Sequence, residues 1–318
     1  MIFILRKIFY AFITLFLVSV LCFLAFSVIR GDPASASGGM DITQEQLRVL
    51  REEMGLNRNV FIRYFEWLIN FIRGDSGSSY YYGGETVSFL VEDRLPVTIA
   101  LASLSLILII IISFSVSLLT VKREGGMTDN IINIFTAAGI SAPGFFMGLI
   151  LIFIFGFTFK LFVPGEFIDY KDSFSGFIGC LIPPALAITI PNSAIMIKFL
   201  RGSIFHEMHS DYVRTARSKG GKSSYILIRH VLKNACLPAV TMMGMIIAEV
   251  FSGSIIIEQV FSIHGTGRLL ITAIGTRDYP LIQALMVYIA FLVVCANTLA
   301  EIVIMIIDPR IMQTGKVR

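Results

Sequence analysis

The fold of this chain is decided by a basic segment that stands between two very hydrophobic stretches: Asp211-Tyr212-Val213-Arg214-Thr215-Ala216-Arg217-Ser218-Lys219-Gly220, followed by Arg229-His230-Val231-Leu232-Lys233-Asn234-Ala235-Cys236-Leu237-Pro238. Most of the chain is apolar enough to lie in lipid, whereas this segment carries clustered charges. It is nevertheless too regularly patterned for a plain connecting loop. Because no catalytic motif accompanies it, the segment is expected to bind another molecule rather than to perform chemistry.

The composition indicates an integral membrane protein. Of the 318 residues, 55% are hydrophobic and only 15% are charged, whereas soluble domains have about 25% charged residues. Apolar runs long enough to cross a hydrocarbon core as helices recur along the chain. None of them alternates as a barrel strand would. The sequence therefore predicts an all-α, integral membrane helical bundle.

Six transmembrane helices are predicted, at about 8–29, 97–121, 131–159, 177–200, 237–257 and 281–307. The first is about twenty residues long, which exceeds the ~7–15-residue apolar region of a signal peptide, so we expect it to be retained. Pro143-Gly144 interrupts the third, and only part of that segment is expected to cross the membrane. Kinks are expected in the fourth, which contains Pro183, Pro184 and Pro191.

Basic residues predict the orientation of the bundle. With six spans, the loops on one side hold Arg6, Lys7, Lys122, Arg123, Arg201, Arg214, Arg217, Lys219, Lys222, Arg229, Lys233, Lys316 and Arg318. The positive-inside rule places this side and both termini in the cytoplasm. The predicted parts are an N-terminal transmembrane helix (1–30), an extracytoplasmic region with short helices (31–95), a core of five transmembrane helices (96–307) that includes a cytoplasmic loop (206–236), and a cytoplasmic tail (308–318).

The extracytoplasmic region is predicted to hold a helical segment from about Thr43 to Arg73. Thr43 is followed three residues later by Gln46, a spacing typical of a capping box at a helix start. Met54-Gly55 is expected to end the first part of this segment, since glycine is common just after a helix.

A series of short motifs runs in order through the whole chain. These are Gly31-Asp32-Pro33, Met54-Gly55-Leu56-Asn57, Arg63-Tyr64-Phe65-Glu66-Trp67-Leu68, Arg73-Gly74-Asp75-Ser76-Gly77, Arg94-Leu95-Pro96-Val97-Thr98, Glu258-Gln259-Val260-Phe261, Gly265-Thr266-Gly267-Arg268, Arg277-Asp278-Tyr279-Pro280 and Asp308-Pro309-Arg310. Together with the basic segment, they resemble the permease subunits of ABC importers, in the branch that transports peptides and nickel. The resemblance covers essentially all 318 residues and implies the type I permease fold.

The resemblance implies that the cytoplasmic loop docks on an ATPase subunit and couples its movement to the membrane helices. The residues assigned to this coupling are Asp211, Tyr212, Arg214, Thr215, Ala216, Arg217, Lys219 and Gly220. The segment departs from the general importer pattern in two ways, and both resemble the peptide and nickel branch. Arg214-Thr215-Ala216 stands in place of Glu-Ala-Ala, and Leu237-Pro238 lies further from Gly220 than in the general pattern. His264 stands where the family usually has proline, which leaves the conformation of that outer turn open.

The same loop is expected to be helical on physical grounds. Asp211 to Ser218 has the length of about two helical turns, and an acidic first residue suits the helix dipole. Gly220-Gly221 can end this helix because glycine accepts positive φ. A second amphipathic stretch, Ser223 to Asn234, should place Ile226, Leu227, Val231 and His230 along one side, before Leu237-Pro238 begins the fifth span. The alternative is a basic amphipathic loop that lies on anionic lipid, and both can hold together.

Polar side chains inside the predicted spans are costly in lipid and are expected to face the bundle interior or a water-filled path. The candidates for lining a substrate pathway are Glu249, Glu301 and Asn192. Structural contacts, or an interface with a second permease, are the alternatives. The resemblance also assigns Glu258, Phe261, Gly265 and Gly267 to an extracytoplasmic loop motif.

No metal site is predicted on this chain. His206 and His209 are three residues apart, but no third ligand is apparent, so a surface pair is expected. The four cysteines fit neither a metal-ligand spacing nor a disulfide framework. Gly221-Lys222-Ser223 looks like the end of a phosphate loop, yet a predicted helix rather than a strand precedes it. ATP and Mg are therefore expected on partner ATPase subunits, with no cofactor bound by this chain.

The resemblance implies a permease subunit of an ATP-driven importer in the cytoplasmic (inner) membrane of a prokaryote, not an enzyme. The expected partners are a second homologous permease, two ABC ATPase subunits, an extracytoplasmic substrate-binding protein and the lipid bilayer, with no nucleic acid. Oligopeptides or dipeptides are the expected substrates, and nickel or a metal chelate is the alternative. Two rival functions stay open: an ATP-independent transporter whose basic loop anchors to lipid, and a sensor or scaffold that transports nothing.

Overall fold

The structure is a computed structural model that describes residues 2–28, 43–53, 58–121 and 126–307. Its helices, in chain order, are α1 (Ile2–Val28), α2 (Gln44–Glu53), α3 (Val60–Ile72), α4 (Val87–Val121), α5 (Met127–Ser141), α6 (Gly144–Leu151), α7 (Phe174–Met208), α8 (Asp211–Ser218), α9 (Ser223–Ile226), α10 (Leu232–Val260), α11 (Thr266–Thr276) and α12 (Tyr279–Ile307). Two π-helical segments, Ile152–Thr158 and Leu227–Val231, follow α6 and α9. Apart from one isolated bridge between Ser78 and Thr86, the described residues form helices and turns, which confirms the all-α prediction.

The number of membrane-spanning helices agrees with the prediction once a bent span is counted. Among the described residues, five helices are long and apolar enough to cross a membrane, and the pair Met127–Ser141 and Gly144–Thr158 adds a sixth if it is one span. This pair bends by 108°. The break lies at Ala142, which is extended at φ −88° and ψ 121°, because a residue before proline avoids the α region. The predicted interruption at Pro143-Gly144 is thus confirmed.

Several helices run further than the apolar stretches that were predicted as membrane spans. Helix α4 begins at Val87, ten residues before the predicted start of the second span, and contains Pro96. The predicted division between residues 95 and 96 therefore falls inside a helix. Helix α7 extends to Met208, into the first residues of the predicted cytoplasmic loop. Polar residues at the ends of these helices hid their length, since hydropathy reports only the part that lies in lipid.

The chain folds into two compact units, 1–99 with 263–294, and 100–262 with 295–318. These units do not coincide with the predicted parts, and the division into an extracytoplasmic region (31–95) and a core (96–307) stays a prediction. In the first unit, the N-terminal helix packs on α3 through aromatic side chains: the Phe23 and Tyr64 rings are 5.3 Å apart. The Tyr64 hydroxyl also shares a hydrogen bond of 2.9 Å with Ser19 Oγ. Thr43 and Gln46 form the predicted capping box, with Thr43 N–H donating to Gln46 Oε1 at 3.0 Å.

Helix α7 is the centre of the second unit and packs against α5, α6 and α10. Its buried side includes Leu181, Ile188, Met196, Leu200 and Ile204. Helix α5 approaches closely at Gly139, where an added Cβ would meet the Ala194 Cβ at 2.9 Å. Small residues at such crossings are the usual means by which membrane helices pack.

Some predictions fall on residues outside the described ones. They concern Gly31-Asp32-Pro33, Met54-Gly55-Leu56-Asn57, Lys122, Arg123, Asp308-Pro309-Arg310, Lys316 and Arg318. Their roles in motifs, orientation and the cytoplasmic tail stay predictions.

Candidate functional site

The basic segment forms a short, exposed helix. Helix α8 covers Asp211–Ser218, which confirms the predicted two turns, with Asp211 in the first turn. Val213 is its buried residue and Ala216 is half-buried, while the other side chains of the helix are exposed. Arg214 and Asp211 approach to 3.8 Å on this exposed side, where such a pair adds little stability. The segment therefore presents charged groups outward from a single apolar anchor.

The end of α8 is closed by a pair of backbone hydrogen bonds. Gly220 N–H donates to Arg217 O at 2.9 Å and Gly221 N–H donates to Ala216 O at 3.2 Å, the pattern of a Schellman motif. Gly220 has φ +78° with nothing within 4 Å of an added Cβ, so its backbone angle alone requires glycine. At Gly221 the requirement is space, because a Cβ would lie 3.0 Å from Ala216 O.

Tyr212 ties the exposed helix to the end of α7. Its hydroxyl donates to Glu207 Oε2 at 2.5 Å. Burial, and then this hydrogen bond, raise the pKa of Tyr212 above its ordinary value. Sequence reasoning missed Glu207, since a lone acidic residue at the end of a long helix carries no distinctive signal.

The amphipathic stretch after the glycines joins the next membrane helix without a break. Ile226, Leu227 and Val231 are buried, as predicted, whereas His230 is exposed and lies edge-on to the Tyr225 ring at 5.8 Å. The prediction that Leu237-Pro238 begins the fifth span is wrong: Ser223–Val260 is one continuous helical run, and Pro238 lies inside α10. The π-helical segment at Leu227–Val231 provides a wider turn before it.

The three candidate pathway residues lie on three different helices of the second unit. Glu249 is exposed on α10, and Glu301 is half-buried on α12. Asn192 is buried in α7, where its Nδ2 donates to Ile188 O at 2.9 Å and its Oδ1 has no hydrogen-bond partner among the described residues. In this structure Asn192 is a core residue, which favours the structural alternative for it. Glu249 has the exposure that a lining or interface residue needs.

The predicted outer loop motif is mostly helical. Glu258 is 0% exposed in the last turn of α10, and Phe261 is buried at its C-terminal cap. Gly265 is the N-cap of α11 and Gly267 lies inside that helix. These residues therefore lie at the end of one helix and at the start of the next, and their assignment to an extracytoplasmic motif stays a prediction. In the turn between the helices, Ile263 is buried, whereas His264, the residue that departs from the family pattern, is exposed.

Two pairs of motifs that are distant in sequence meet in the first unit. Thr266 N–H, at the start of α11, donates to Thr98 Oγ1 at 2.8 Å, so a side chain from α4 caps α11 in place of its own Gly265. Gly77 lies beside Pro280, since an added Cβ would be 3.7 Å from the proline Cβ. Sequence reasoning named all four motifs but could not pair them.

Asp278 belongs to the same motif as Pro280 and accepts several hydrogen bonds. It is buried and accepts hydrogen bonds from Ser79 Oγ, from Tyr81 N–H at 3.2 Å and from Leu281 N–H at 3.4 Å. The last of these bonds makes it the N-cap of α12. The residue before it, Arg277, is exposed and left-handed at φ 57° and ψ 37°. The structure thus fixes an outward-facing arginine beside a buried carboxylate.

A buried ion pair crosses the second unit. Arg201 of α7 is 7% exposed and donates to Asp129, at the start of α5, and to Asn133 Oδ1 at 2.8 Å. Sequence reasoning used Arg201 only as a topology charge. Its place at the end of an apolar run was the available signal, because intramembrane charges normally have partners.

The histidines and cysteines show no sign of a metal centre. His209 Nδ1 lies 2.8 Å from Phe205 O at the end of α7, and both His206 and His209 are exposed. In the part of the chain that the structure describes, no group of three His, Cys, Asp or Glu residues could hold a metal ion.

Comparisons with known proteins agree with the motifs. Residues 109–313 match the family described as "Binding-protein-dependent transport system inner membrane component", and residues 1–102 match its N-terminal family. A probable peptide ABC transporter permease protein, y4tP, from Sinorhizobium fredii is 33% identical over 310 residues, covering 98% of this chain and 99% of the relative. The oligopeptide transport system permease protein AppB of Bacillus subtilis is 34% identical, covering 92% and 94%. A putative peptide permease protein of Brucella ovis is 32% identical, covering 93% and 94%.

These matches span both units and nearly the whole length of each relative. The five or six apolar helices are those of a multi-pass membrane protein. The chain belongs to the family of binding-protein-dependent transport system inner membrane components and is a permease subunit of the ABC importer class.

Proposed function

We propose that this chain is one of two permease subunits that form the membrane path of a peptide importer. Similar proteins along the full chain are named as peptide or oligopeptide permeases, which favours peptides over nickel. An extracytoplasmic binding protein delivers the substrate, and two ATPase subunits bind ATP and Mg. This chain then supplies the path and the element that receives the movement of the ATPases.

The observation that carries the proposal is the geometry of α8. A docking element must keep its shape when its partner moves, and α8 is closed by a Schellman motif and tied to α7 through Tyr212. Its exposed residues carry mixed charges on a helix of only eight residues. Arg214, Arg217 and Lys219 make the surface mainly basic, so the complementary groove on the ATPase is expected to be acidic.

The outer side of the importer is proposed to be the side of the turn at Arg277. The positive-inside rule places α8 in the cytoplasm with both termini, and an odd number of spans separates α8 from this turn. The exposed Arg277 and the polar cluster around Asp278 would then face the binding protein. A rigid turn suits this task because docking without rearrangement loses less entropy.

The test is reconstitution of the complete transporter in proteoliposomes. The chain is purified with the second permease and both ATPases, and uptake of a labelled oligopeptide is measured with the binding protein present. Uptake that requires both ATP and the binding protein is expected. Equal uptake without ATP would contradict the proposal and favour the ATP-independent transporter, whereas an assembled, ATP-hydrolysing complex that takes up no peptide would favour the sensor or another substrate.

A further inference from the structure

A cavity of about 400 Å³ lies between α5 and α7 in the second unit. Its lining residues are Asn133, Thr136, Ala137, Ile140, Lys198, Arg201, Gly202 and Phe205. A water molecule occupies about 30 Å³ in the liquid, so the cavity is far larger than a structural water requires. Its volume is sufficient for a small polar group with part of an attached chain.

The polar side of the cavity is rich in hydrogen-bond donors. The Arg201 guanidinium donates a hydrogen bond to Asn133 Oδ1 at 2.8 Å. This bond fixes the orientation of the Asn133 amide, so its Nδ2 group stays available as a donor. Lys198 is exposed, and no carboxylate of the described residues lies within 4 Å of it. Donors without acceptors are the arrangement that an anionic oxygen ligand needs.

The charge of the cavity is positive even after the buried ion pair is counted. Lys198 and Arg201 carry two positive charges, and Asp129, which pairs with Arg201, carries one negative charge. Arg201 Nε is buried and has no hydrogen-bond partner among the described residues. Such a group carries a free-energy cost, which a ligand that draws the guanidinium toward it would offset.

The other side of the cavity is apolar, and α5 lies at the surface of its unit. Ala137 and Ile140 are exposed lining residues. On the opposite face of α5, Ile134 and Phe135 are 69% and 73% exposed. A ligand here has one anionic end among donors and an apolar remainder along a membrane-spanning helix, which is the chemistry of a phospholipid.

The position of the cavity along α7 agrees with the expected position of a lipid headgroup. Arg201 lies seven residues before the end of α7 at Met208, about 10 Å along the axis at ~1.5 Å per residue. The headgroup layers of a bilayer extend several ångströms on each side of a ~30 Å core. With α7 ending at the cytoplasmic surface that the basic residues predict, the cavity opens near the boundary between headgroups and hydrocarbon. Anionic lipids are recognised by basic pockets between helices on the cytoplasmic side.

The geometry points to a binding site for the phosphate headgroup of an anionic phospholipid between α5 and α7, with Lys198, Asn133 and Arg201 as its donors. The site is independent of the proposed substrate. Its occupant would brace α5 against α7 next to the helix that docks the ATPase.

Native mass spectrometry of the assembled complex tests the site. The complex is purified, delipidated and titrated with phosphatidylglycerol, with phosphatidylcholine, and with inorganic phosphate. Lys198→Gln removes a donor from an exposed position, and Ala137→Trp fills the cavity without changing its charge. Lys160→Gln, which changes an exposed lysine that does not line the cavity, is the matched control.

Retention of phosphatidylglycerol over phosphatidylcholine is expected in the wild type. Lys198→Gln should reduce the retention of phosphatidylglycerol about fivefold, because it removes one basic residue that contacts an anionic lipid. Ala137→Trp should cause a similar loss, and Lys160→Gln should cause none. Equal retention by all variants would overturn the site. Binding of inorganic phosphate with the same sensitivity, but not of the lipid, would also overturn it, because the ligand would then be a free anion.

Discussion

Two helices of this protein end in the same backbone motif but on different residues. The left-handed residue of the turn that closes α8 is Gly220, with φ +78°, and that of the turn that closes α11 is Arg277, with φ 57°. In each, the left-handed residue and its successor donate to carbonyls of the preceding turn: Arg277 N–H to Ile274 O at 3.3 Å and Asp278 N–H to Ala273 O at 2.9 Å. Glycine adopts this conformation without strain, whereas arginine loses about 1 kcal/mol or more.

The difference shows how each turn is held. Among the described residues, no atom lies within 4 Å of an added Cβ at Gly220, and the hydrogen bonds that close this turn are accepted within α8, by Arg217 and Ala216. The turn after α11 is held by the hydrogen bonds of Asp278 with Ser79 and Tyr81, 199 and 197 residues away. The proposed cytoplasmic turn is therefore locally determined, and the proposed outer turn depends on tertiary contacts.

The largest effect is expected from removal of the tertiary anchor. Asp278→Ala removes the acceptor of the buried Ser79 hydroxyl and of the part-buried Tyr81 N–H, and it deletes the cap of α12. The first unit should lose about 2–4 kcal/mol of stability, measured as a fall in apparent Tm of the purified complex. Asp278→Asn keeps a side-chain oxygen as an acceptor and is the matched control with a smaller loss. Equal Tm values for Asp278→Ala and the wild type would show that the turn is held locally after all.

The second effect should appear in transport rather than in stability. Gly220→Val places a β-branched residue at positive φ, which costs about 1–2 kcal/mol and distorts the turn that closes α8. ATP-dependent uptake should fall about tenfold while the membrane helices stay intact. Gly220→Asn is the control, because asparagine accepts the left-handed conformation. If both variants transport as the wild type does, the shape of this turn has no part in coupling.

The same contrast explains what the sequence could predict. The two turns of α8, its glycine end and the buried Ile226 and Val231 follow from short-range spacing, and all were predicted correctly. Asp278 and Thr98 were recognised as parts of motifs, yet their partners lie 168 or more residues away. No alternation or helical period links such positions. The extension of α4 back to Val87 was missed for a related reason, since packing rather than hydropathy keeps its polar start helical.

For the candidate site residues, too, the features that the sequence did not predict depend on tertiary contacts. Exposure of Glu249 and burial of Asn192 depend on which side of each helix faces its neighbours, and the weak amphipathic pattern of spanning helices does not settle this. The Asp129–Arg201 pair joins residues 72 positions apart. A single sequence shows that each is costly in lipid, but not that they meet.

A third effect sharpens the comparison by making the two turns alike. Arg277→Gly removes the backbone strain of the outer turn and should raise stability by about 0.5–1 kcal/mol, less the entropy that glycine adds to the unfolded chain. A rise of a few degrees in apparent Tm at most is expected. Arg268→Gly, within α11, is the contrasting variant and should lower Tm, because glycine weakens a helix interior. A fall in Tm for Arg277→Gly would mean that its side chain stabilises the turn more than its backbone strains it.

The smallest effect concerns the hydrogen bond that links α8 to the end of α7. Tyr212→Phe removes the hydroxyl that donates to Glu207 and keeps the ring. The tyrosine is 37% exposed, so the loss belongs at the lower end of the usual range, about 0.5 kcal/mol. Uptake at saturating ATP should therefore fall less than threefold, while hydrogen exchange of the α8 amides should quicken. If Tyr212→Phe abolishes uptake as Gly220→Val does, then α8 is positioned mainly by its link to α7, and the local turn is the lesser restraint.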